Sequence, residues 1–434
     1  MDKMADVLGR AGAWCGQNKY LSAIKNAFQN FMPLTIAGAI GVLWCNVLVN
    51  ETTGLGMFFK PIMALDFLNP AFQAVNFCTI SCITVGITLG IAQEIGVWNM
   101  GAERAGYIPG LVGLAAWLSV TNTSHMVDGA KEAFTGVAGN ELGATGLFTG
   151  MIIGVLSVEL FCFFEKQDAL KIKMPEQVPP GVARAFEVLV PATITLIITA
   201  CIGSACYNLT GLYLNDVIKN GIQGPLGAVG ATIPGVMIIY LVIMLFWLVG
   251  IHGNNMLSAV KEALFTPLAL ENVEAFNKGE TPKNIINMYA LQMWGEFGGS
   301  GVTIGLVIAI IIFGKREDNK AIASLSLVPG LFNINETVTF GIPMVLNPIL
   351  GIPFVFACLV TILVGYVLTV IGFCPVACLT VPWTTPPIVF GFLACGANVM
   401  GAVTQAILIV VSTVIYTPFL IAYEKYQNKQ AAEA

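Results

Sequence analysis

Glu336 stands in the run Leu331–Pro343, LFNINETVTFGIP, with Asn333 and Asn335 beside it and apolar sequence on both sides. Amides next to a carboxylate supply the donors and acceptors that hold sugar hydroxyls, and a carboxylate can serve as a general base. The alternative is an interfacial glutamate paired with a nearby donor. His252 closes a long apolar run and is followed by Gly253, Asn254 and Asn255. An imidazole can donate, accept or carry charge near neutral pH. It is either satisfied by a backbone carbonyl or turned into a cavity, and the two asparagines favour the cavity. Glu296, in Trp294–Gly301 (WGEFGGSG), could serve the same site or cap a loop. Trp383, in PWTTPP, could stack on the apolar face of a pyranose ring or anchor at a membrane interface. His125, in TNTSHMVDG, reads as a solvated loop residue.

The surrounding chain must position these groups inside a membrane. Hydrophobic residues make up 56% and charged residues 10% of the 434, against about 25% charged in a soluble domain. Most of the chain therefore faces lipid or packs on helices that do, and nothing in it suggests nucleic acid. Gly330, Gly341 and Pro343 interrupt the Glu336 stretch too often for one continuous helix. Irregular backbone at membrane depth survives only where it is buried in protein or lines a wet cavity. Spans are expected at 28–50, 72–96, 104–120, 143–165, 185–208, 225–251, 299–314, 348–373 and 400–423, each near the ~20 apolar residues that cross a bilayer. The pieces at 254–298, 322–346 and 380–398 read as re-entrant hairpins, broken helices or a short span.

Charge sets the orientation. Fourteen of the twenty Lys and Arg residues, from Lys3 and Arg10 to Lys425 and Lys429, fall on one side, and only Lys60, Lys131 and Lys219 on the other. Lys261, Lys278 and Lys283 lie in the unassigned piece. The positive-inside rule then puts both termini in the cytoplasm. Residues 1–27 read as a cytoplasmic amphipathic segment rather than a signal peptide. The charged, proline-containing stretch Glu165–Arg184 separates conventional spans from interrupted ones. Residues 28–208 are accordingly expected to form a scaffold and 209–434 a transport half. Gly150 and Gly154 either permit close helix packing or reflect the abundance of glycine in membrane helices. The eleven cysteines are scattered, without a Cys-x-x-Cys, and read as packing residues, so no disulfide framework or metal site is expected. Glu94 and Glu159, near span ends, read as structural.

Several of these pieces carry a resemblance: Gly250–Gly253 (GIHG), Gly298–Gly301 (GGSG), Phe332–Glu336 (FNINE) with Phe340–Pro343, and Pro382–Thr384. Ala23–Phe28 with Met32–Leu34, and Lys173–Pro175 with Val178–Pro180, extend it nearly end to end. The chain resembles the membrane component, enzyme IIC, of bacterial sugar phosphotransferase systems of the lactose/cellobiose/diacetylchitobiose family. That resemblance implies an all-α polytopic membrane protein with about ten transmembrane helices, two re-entrant hairpins and an amphipathic linker helix. It implies a homodimer in the bacterial cytoplasmic membrane whose first five spans form the dimer scaffold. A β-linked disaccharide would be phosphorylated at its terminal 6-hydroxyl during uptake. The phosphate would come from a phosphocysteine on a soluble IIB protein, itself charged by a IIA protein. By carry-over, Glu336 would hold and help deprotonate the hydroxyl and His252 would orient it or offset charge on the incoming phosphoryl group, while Asn333, Asn335, Asn254 and Trp383 would hold the sugar, with Glu296 a weaker candidate. No cofactor is implied. The opposing expectation is a proton-coupled symporter or facilitator in which Glu336 and Glu296 relay protons. A channel fits poorly, since no filter motif is present.

Overall fold

Helices begin and end in this chain where side chains or glycines satisfy the backbone. The computed structural model describes residues 10, 13–14, 17–51, 55–125, 133–175, 177–225, 230–342 and 344–433. Lys3, Lys131 and Pro343, together with residues 1–9, 11–12 and 15–16 of the N-terminal segment, lie outside the described residues. Helix α1 (Lys19–Leu43) starts where Asn18 Oδ1 accepts the N–H groups of Tyr20 and Leu21 at 3.1 Å each, earlier than the span expected at 28. After it come α2 (Ile83–Met100), α3 (Ile108–Val120), α4 (Ala144–Glu165) and α5 (Pro180–Thr210). Pro180 opens α5, where the missing N–H costs nothing, and Gly211 ends it at φ 71°, a left-handed turn that suits glycine.

Among the described residues, five helices are long and apolar enough to cross a membrane, six if Lys60–Ser81 and Ile83–Met100, bent by 42°, form one span. Ile108–Val120, Ile233–Leu248 and Ile304–Phe313 are apolar but shorter. The chain is a mostly helical, multi-pass membrane protein. Two residues of β1 (Ser124–His125) pair antiparallel with β2 (Phe134–Thr135), a small ribbon absent from the all-helical expectation.

Two compact units divide the chain: Gln17–Gly38 with Val75–Gly227, and Ala39–Ala74 with Ala228–Ala434. In the first, α2, α3 and α4 pack at backbone distance. A Cβ on Gly150 would collide with Thr88 Oγ1, and one on Gly154 would come within 3.1 Å of the Thr88 carbonyl oxygen. The Gly150/Gly154 pair is therefore a packing face. Span-end carboxylates are tied off locally: Glu159 pairs with Lys19 at 2.6 Å, and Glu94 accepts from Asn26 Nδ2 at 2.9 Å.

The second unit contains α6 (Ile233–Leu248), α7 (Ser258–Asn277), α8 (Met288–Gly295), α9 (Ile304–Phe313) and α10 (Glu317–Leu331). It continues with α11 (Glu336–Gly341), α12 (Gly351–Val370), α13 (Val389–Ala394) and α14 (Val399–Glu433). Its core buries Tyr240, Trp247, Phe265, Trp294, Phe354 and Tyr416. Within the stretch 254–298, α7 is one continuous helix. Its charged residues disguise the apolar pattern, but they find partners within the protein: Lys261 with Glu296, Glu271 with Asn284, Glu274 with Lys278. Glu424 of α14 accepts the backbone N–H groups of Lys315 (2.8 Å) and Arg316 (3.3 Å) and fixes the start of α10. Beside it, the hydrogen bond from Arg316 holds the Asp318 carboxyl below its usual range.

Close packing at Gly150 gives a direct expectation. Gly150→Leu should lose about 1–3 kcal/mol of stability through overpacking, read as a lower unfolding temperature in detergent, with Gly150→Ala intermediate. An unchanged midpoint for both variants would contradict the packing assignment.

Candidate functional site

His252 owes its place to a chain break. α6 stops at Leu248, and Gly250, at φ 82°, turns the backbone while the Ile251 N–H returns to the Phe246 carbonyl at 3.0 Å. The imidazole lies against Trp247, with ring centroids 4.4 Å apart. Its Nδ1 accepts the Asn255 N–H at 3.3 Å. A neutral imidazole with an accepting Nδ1 carries its proton on Nε2. That Nε2 stands 3.7 Å from Oε1 of Glu336. The separation is too long for a hydrogen bond, yet one oxygen atom can lie about 2.8 Å from both groups at once.

Glu336 is delivered by a second break. α10 ends at Leu331, and the N–H groups of Phe332 and Ile334 both return to the Pro329 carbonyl. Asn333 takes φ 62°, a left-handed conformation that asparagine tolerates. Its Oδ1 accepts from the Gly298 N–H at 2.7 Å, and its Nδ2 donates to the carbonyls of Trp383 and, at 3.1 Å, Thr385. Asn335, buried, donates from Nδ2 to the Ser300 carbonyl at 2.9 Å and to Thr339 Oγ1 at 3.1 Å. Both amides were expected to read sugar hydroxyls. They also hold the loop, which the sequence had not suggested. The glycine-rich turn after α8 makes this possible: Gly299 sits at φ 87°, and a Cβ there would press on the Asn335 side chain at 2.6 Å.

Ion pairing fixes Glu296. Its Oε1 meets Nζ of Lys261, a lysine that is almost wholly buried, and accepts from Tyr240 OH at 2.7 Å. A carboxylate buried in low dielectric needs such compensation. Asn254 donates from Nδ2 to Ser300 Oγ at 2.9 Å, while its Oδ1 is buried without a partner among the described residues. The Oε1 of Gln292 is in the same condition. Buried acceptors left open are costly, and a ligand that brings hydroxyl donors can fill them.

All seven residues singled out from the sequence line one cavity of about 480 Å³: His252, Asn254, Glu296, Asn333, Asn335, Glu336 and Trp383. Its wall also contains Ser300 of the GGSG turn, and Gln292 and Gln405, which the sequence reading passed over. Gln405 lies within the apolar run 400–423, and a lone amide there was a signal. Lys261, in the piece the sequence leaves unassigned, is the partner of Glu296. Trp383 is 44% exposed, so an indole face is available to a ligand. Gln405, nearly fully buried, accepts on Oε1 from the N–H groups of Ile388 (2.7 Å) and Gly391 (2.8 Å). Ile388 sits at φ 75° and ψ −52°, a conformation that costs a β-branched residue about 1–3 kcal/mol.

Apolar helices around a chamber lined with carboxylates, amides, an imidazole and an indole define a multi-pass membrane protein with an internal polar cavity. Comparison with known proteins makes the class definite. The family model described as phosphotransferase system, EIIC, matches residues 25–358, and the chain belongs to that family. It is 33% identical to the oligo-beta-mannoside-specific EIIC component of Bacillus subtilis (strain 168), over 98% of this chain and 94% of that one. It is 30% identical to the cellobiose-specific EIIC component of Lactococcus lactis subsp. lactis (strain IL1403), over 98% of both. Among solved structures it is similar to the transporter ChbC, the IIC component from the N,N'-diacetylchitobiose-specific phosphotransferase system. That match has a TM-score of 0.88 and 29% identity, and covers 97% of each chain.

The buried ion pair is testable by itself. Lys261→Met leaves the Glu296 charge uncompensated and should cost about 3–5 kcal/mol, measured by unfolding in detergent. Adding Glu296→Gln should restore most of the loss. Equal losses in the single and double variants would show that the pair is not coupled.

Proposed function

We propose that the chain carries a β-linked disaccharide across the bacterial cytoplasmic membrane and presents its terminal 6-hydroxyl for phosphorylation by a phosphocysteine on a soluble IIB protein. The observation that carries this reading is the His252–Glu336 pair on the wall of a chamber with an exposed indole. A hydroxyl held between Nε2 and Oε1 donates to the carboxylate and accepts from the imidazole. As phosphorus approaches, the hydroxyl proton passes to Glu336, the new O–P bond forms, and the cysteine thiolate of IIB leaves. Phosphoryl transfer runs through a loose transition state, so placement and electrostatics outweigh base strength. A carboxylate repels an incoming phosphoryl group, and His252 with nearby backbone N–H groups offsets that repulsion.

The relatives are named for cellobiose, lichenan, lactose and oligo-β-mannosides, which supports a β-linked substrate. Trp383 stacks on a sugar ring, and Asn254, Gln292 and Glu296 accept from hydroxyls of the second ring. Asn333 and Asn335 shape the wall and contribute what remains of their polar surface. Residues 28–208 serve as the scaffold of a homodimer and 209–434 as the transport half, with about ten spans, two re-entrant hairpins and both termini cytoplasmic. Fourteen basic residues on the inner side against three on the outer support that orientation. A IIA protein recharges IIB. The pairing of Glu296 with Lys261 commits that carboxylate to a fixed partner and weighs against a proton relay.

Glu336→Gln should keep disaccharide binding and lose phosphorylation by about 10²-fold or more, assayed with purified membranes and a matched, already phosphorylated IIB. Uptake should need phosphoenolpyruvate and ignore an uncoupler. Normal phosphorylation by the variant removes Glu336 as the base, and uncoupler-sensitive uptake without IIB replaces the whole reading with a symporter.

A further inference from the structure

Trp383 is held in place by a loop, Pro382–Ile388, that two amide side chains pin at opposite ends. At one end Asn333 donates to the Trp383 and Thr385 carbonyls. At the other, Gln405 receives the N–H groups of Ile388 and Gly391 on a single oxygen, and its Nε2 donates to the Met293 carbonyl at 3.2 Å. One side chain of α14 thus joins the start of α13 to α8, the helix that carries Gln292 and leads into Glu296. The approach is close: a Cβ on Gly391 would come within 2.5 Å of the Gly401 carbonyl oxygen. Where Gln405 grips, the backbone is in a conformation that L side chains rarely adopt. Ile388 has φ 75°, and its side chain is 45% exposed, so burial does little to hold it there. A strained backbone persists only when its surroundings over-determine it. Here the Ile388 N–H is held by Gln405 at 2.7 Å, Gly391 is held by the same oxygen, and the Ile388 carbonyl accepts the Phe392 N–H at 3.0 Å.

We propose that Gln405 is a positioning residue for the sugar site: its amide latches the strained Ile388 end of the loop and thereby holds the Trp383 ring against the bound sugar. The proposal rests on the cavity being a sugar site. Released from the latch, Ile388 relaxes toward negative φ and Trp383 leaves the wall, which uncouples stacking from the His252–Glu336 end.

Binding of cellobiose to the full chain in detergent, measured by titration calorimetry, tests this. Gln405→Met should weaken binding about tenfold, the scale of one lost aromatic contact. In the phosphorylation assay it should raise KM and leave kcat unchanged. Because the effect runs through Trp383, Gln405→Met with Trp383→Ala should bind no more weakly than Trp383→Ala alone. Adding Ile388→Gly, which accepts positive φ without strain, should restore a large part of the affinity lost in Gln405→Met. Ile388→Gly alone should unfold no earlier than wild type despite losing an apolar side chain, and this holds as a test even if Gln405→Met fails to fold. Multiplicative losses in the Gln405/Trp383 pair would show that Gln405 touches sugar directly, and would overturn the positioning role. Wild-type affinity in Gln405→Met, no rescue by Ile388→Gly, or an early-unfolding Ile388→Gly would overturn the latch. If wild type binds no member of a panel of β-linked disaccharides, the sugar reading falls and takes the proposal with it.

Discussion

The 3.7 Å between His252 Nε2 and Glu336 Oε1 is the interaction on which the site depends. Neither group is on a long helix. Each follows a glycine- or proline-marked break, where backbone leaves the regular ladder and would otherwise strand polar groups in an apolar interior. The separation leaves room for one oxygen to bridge the pair. Nδ1 is already engaged by the Asn255 N–H, so the proton of a neutral ring points at the chamber. Geometry and tautomer would suit a hydroxyl that donates on one side and accepts on the other.

Satisfying the broken backbone explains the rest of the wall. Asn333 joins three loops through one amide, Asn335 joins two, and Gln405 joins the Trp383 loop to α8. Asn287, fully buried, caps α8 with Oδ1 and donates from Nδ2 to the Asn284 and Ala377 carbonyls. What the protein leaves unpaired is also informative. Of the buried acceptors without a partner among the described residues, Asn254 Oδ1 and Gln292 Oε1 lie at the chamber. The wall is rigid where amides meet carbonyls and receptive where acceptors wait.

Much of this site was legible because polar residues in apolar sequence are costly and must have partners. Glu336, Asn333 and Asn335 stood out for that reason, and His252 for its place at the end of an apolar run between glycines. All seven residues chosen from the sequence line the same cavity. What stayed hidden was pairing over long sequence separation. Lys261 looked like one more basic residue until Glu296 was seen beside it. Tyr240 and Gln292 sit in helices whose pattern gives no hint that a hydroxyl or an amide turns inward. Gln405 was a readable signal, an amide in a hydrophobic run, yet only the structure shows it gripping Ile388. The continuous helix Ser258–Asn277 was masked by its own charges. The partner that neutralises Lys261, Glu296, is remote in sequence, and local periodicity carries no information about it.

The account rests on one hydroxyl shared by Glu336 and His252. Comparing a β-linked disaccharide with its analogue lacking the terminal 6-hydroxyl tests this most directly. Affinities of both ligands for wild type and for the double variant Glu336→Gln/His252→Ala close a ligand–protein cycle. The account predicts that wild type loses about tenfold or more on the deoxy sugar, while the double variant binds the two sugars alike. An equal loss in both proteins would mean that the hydroxyl is held elsewhere, and the central claim would be wrong.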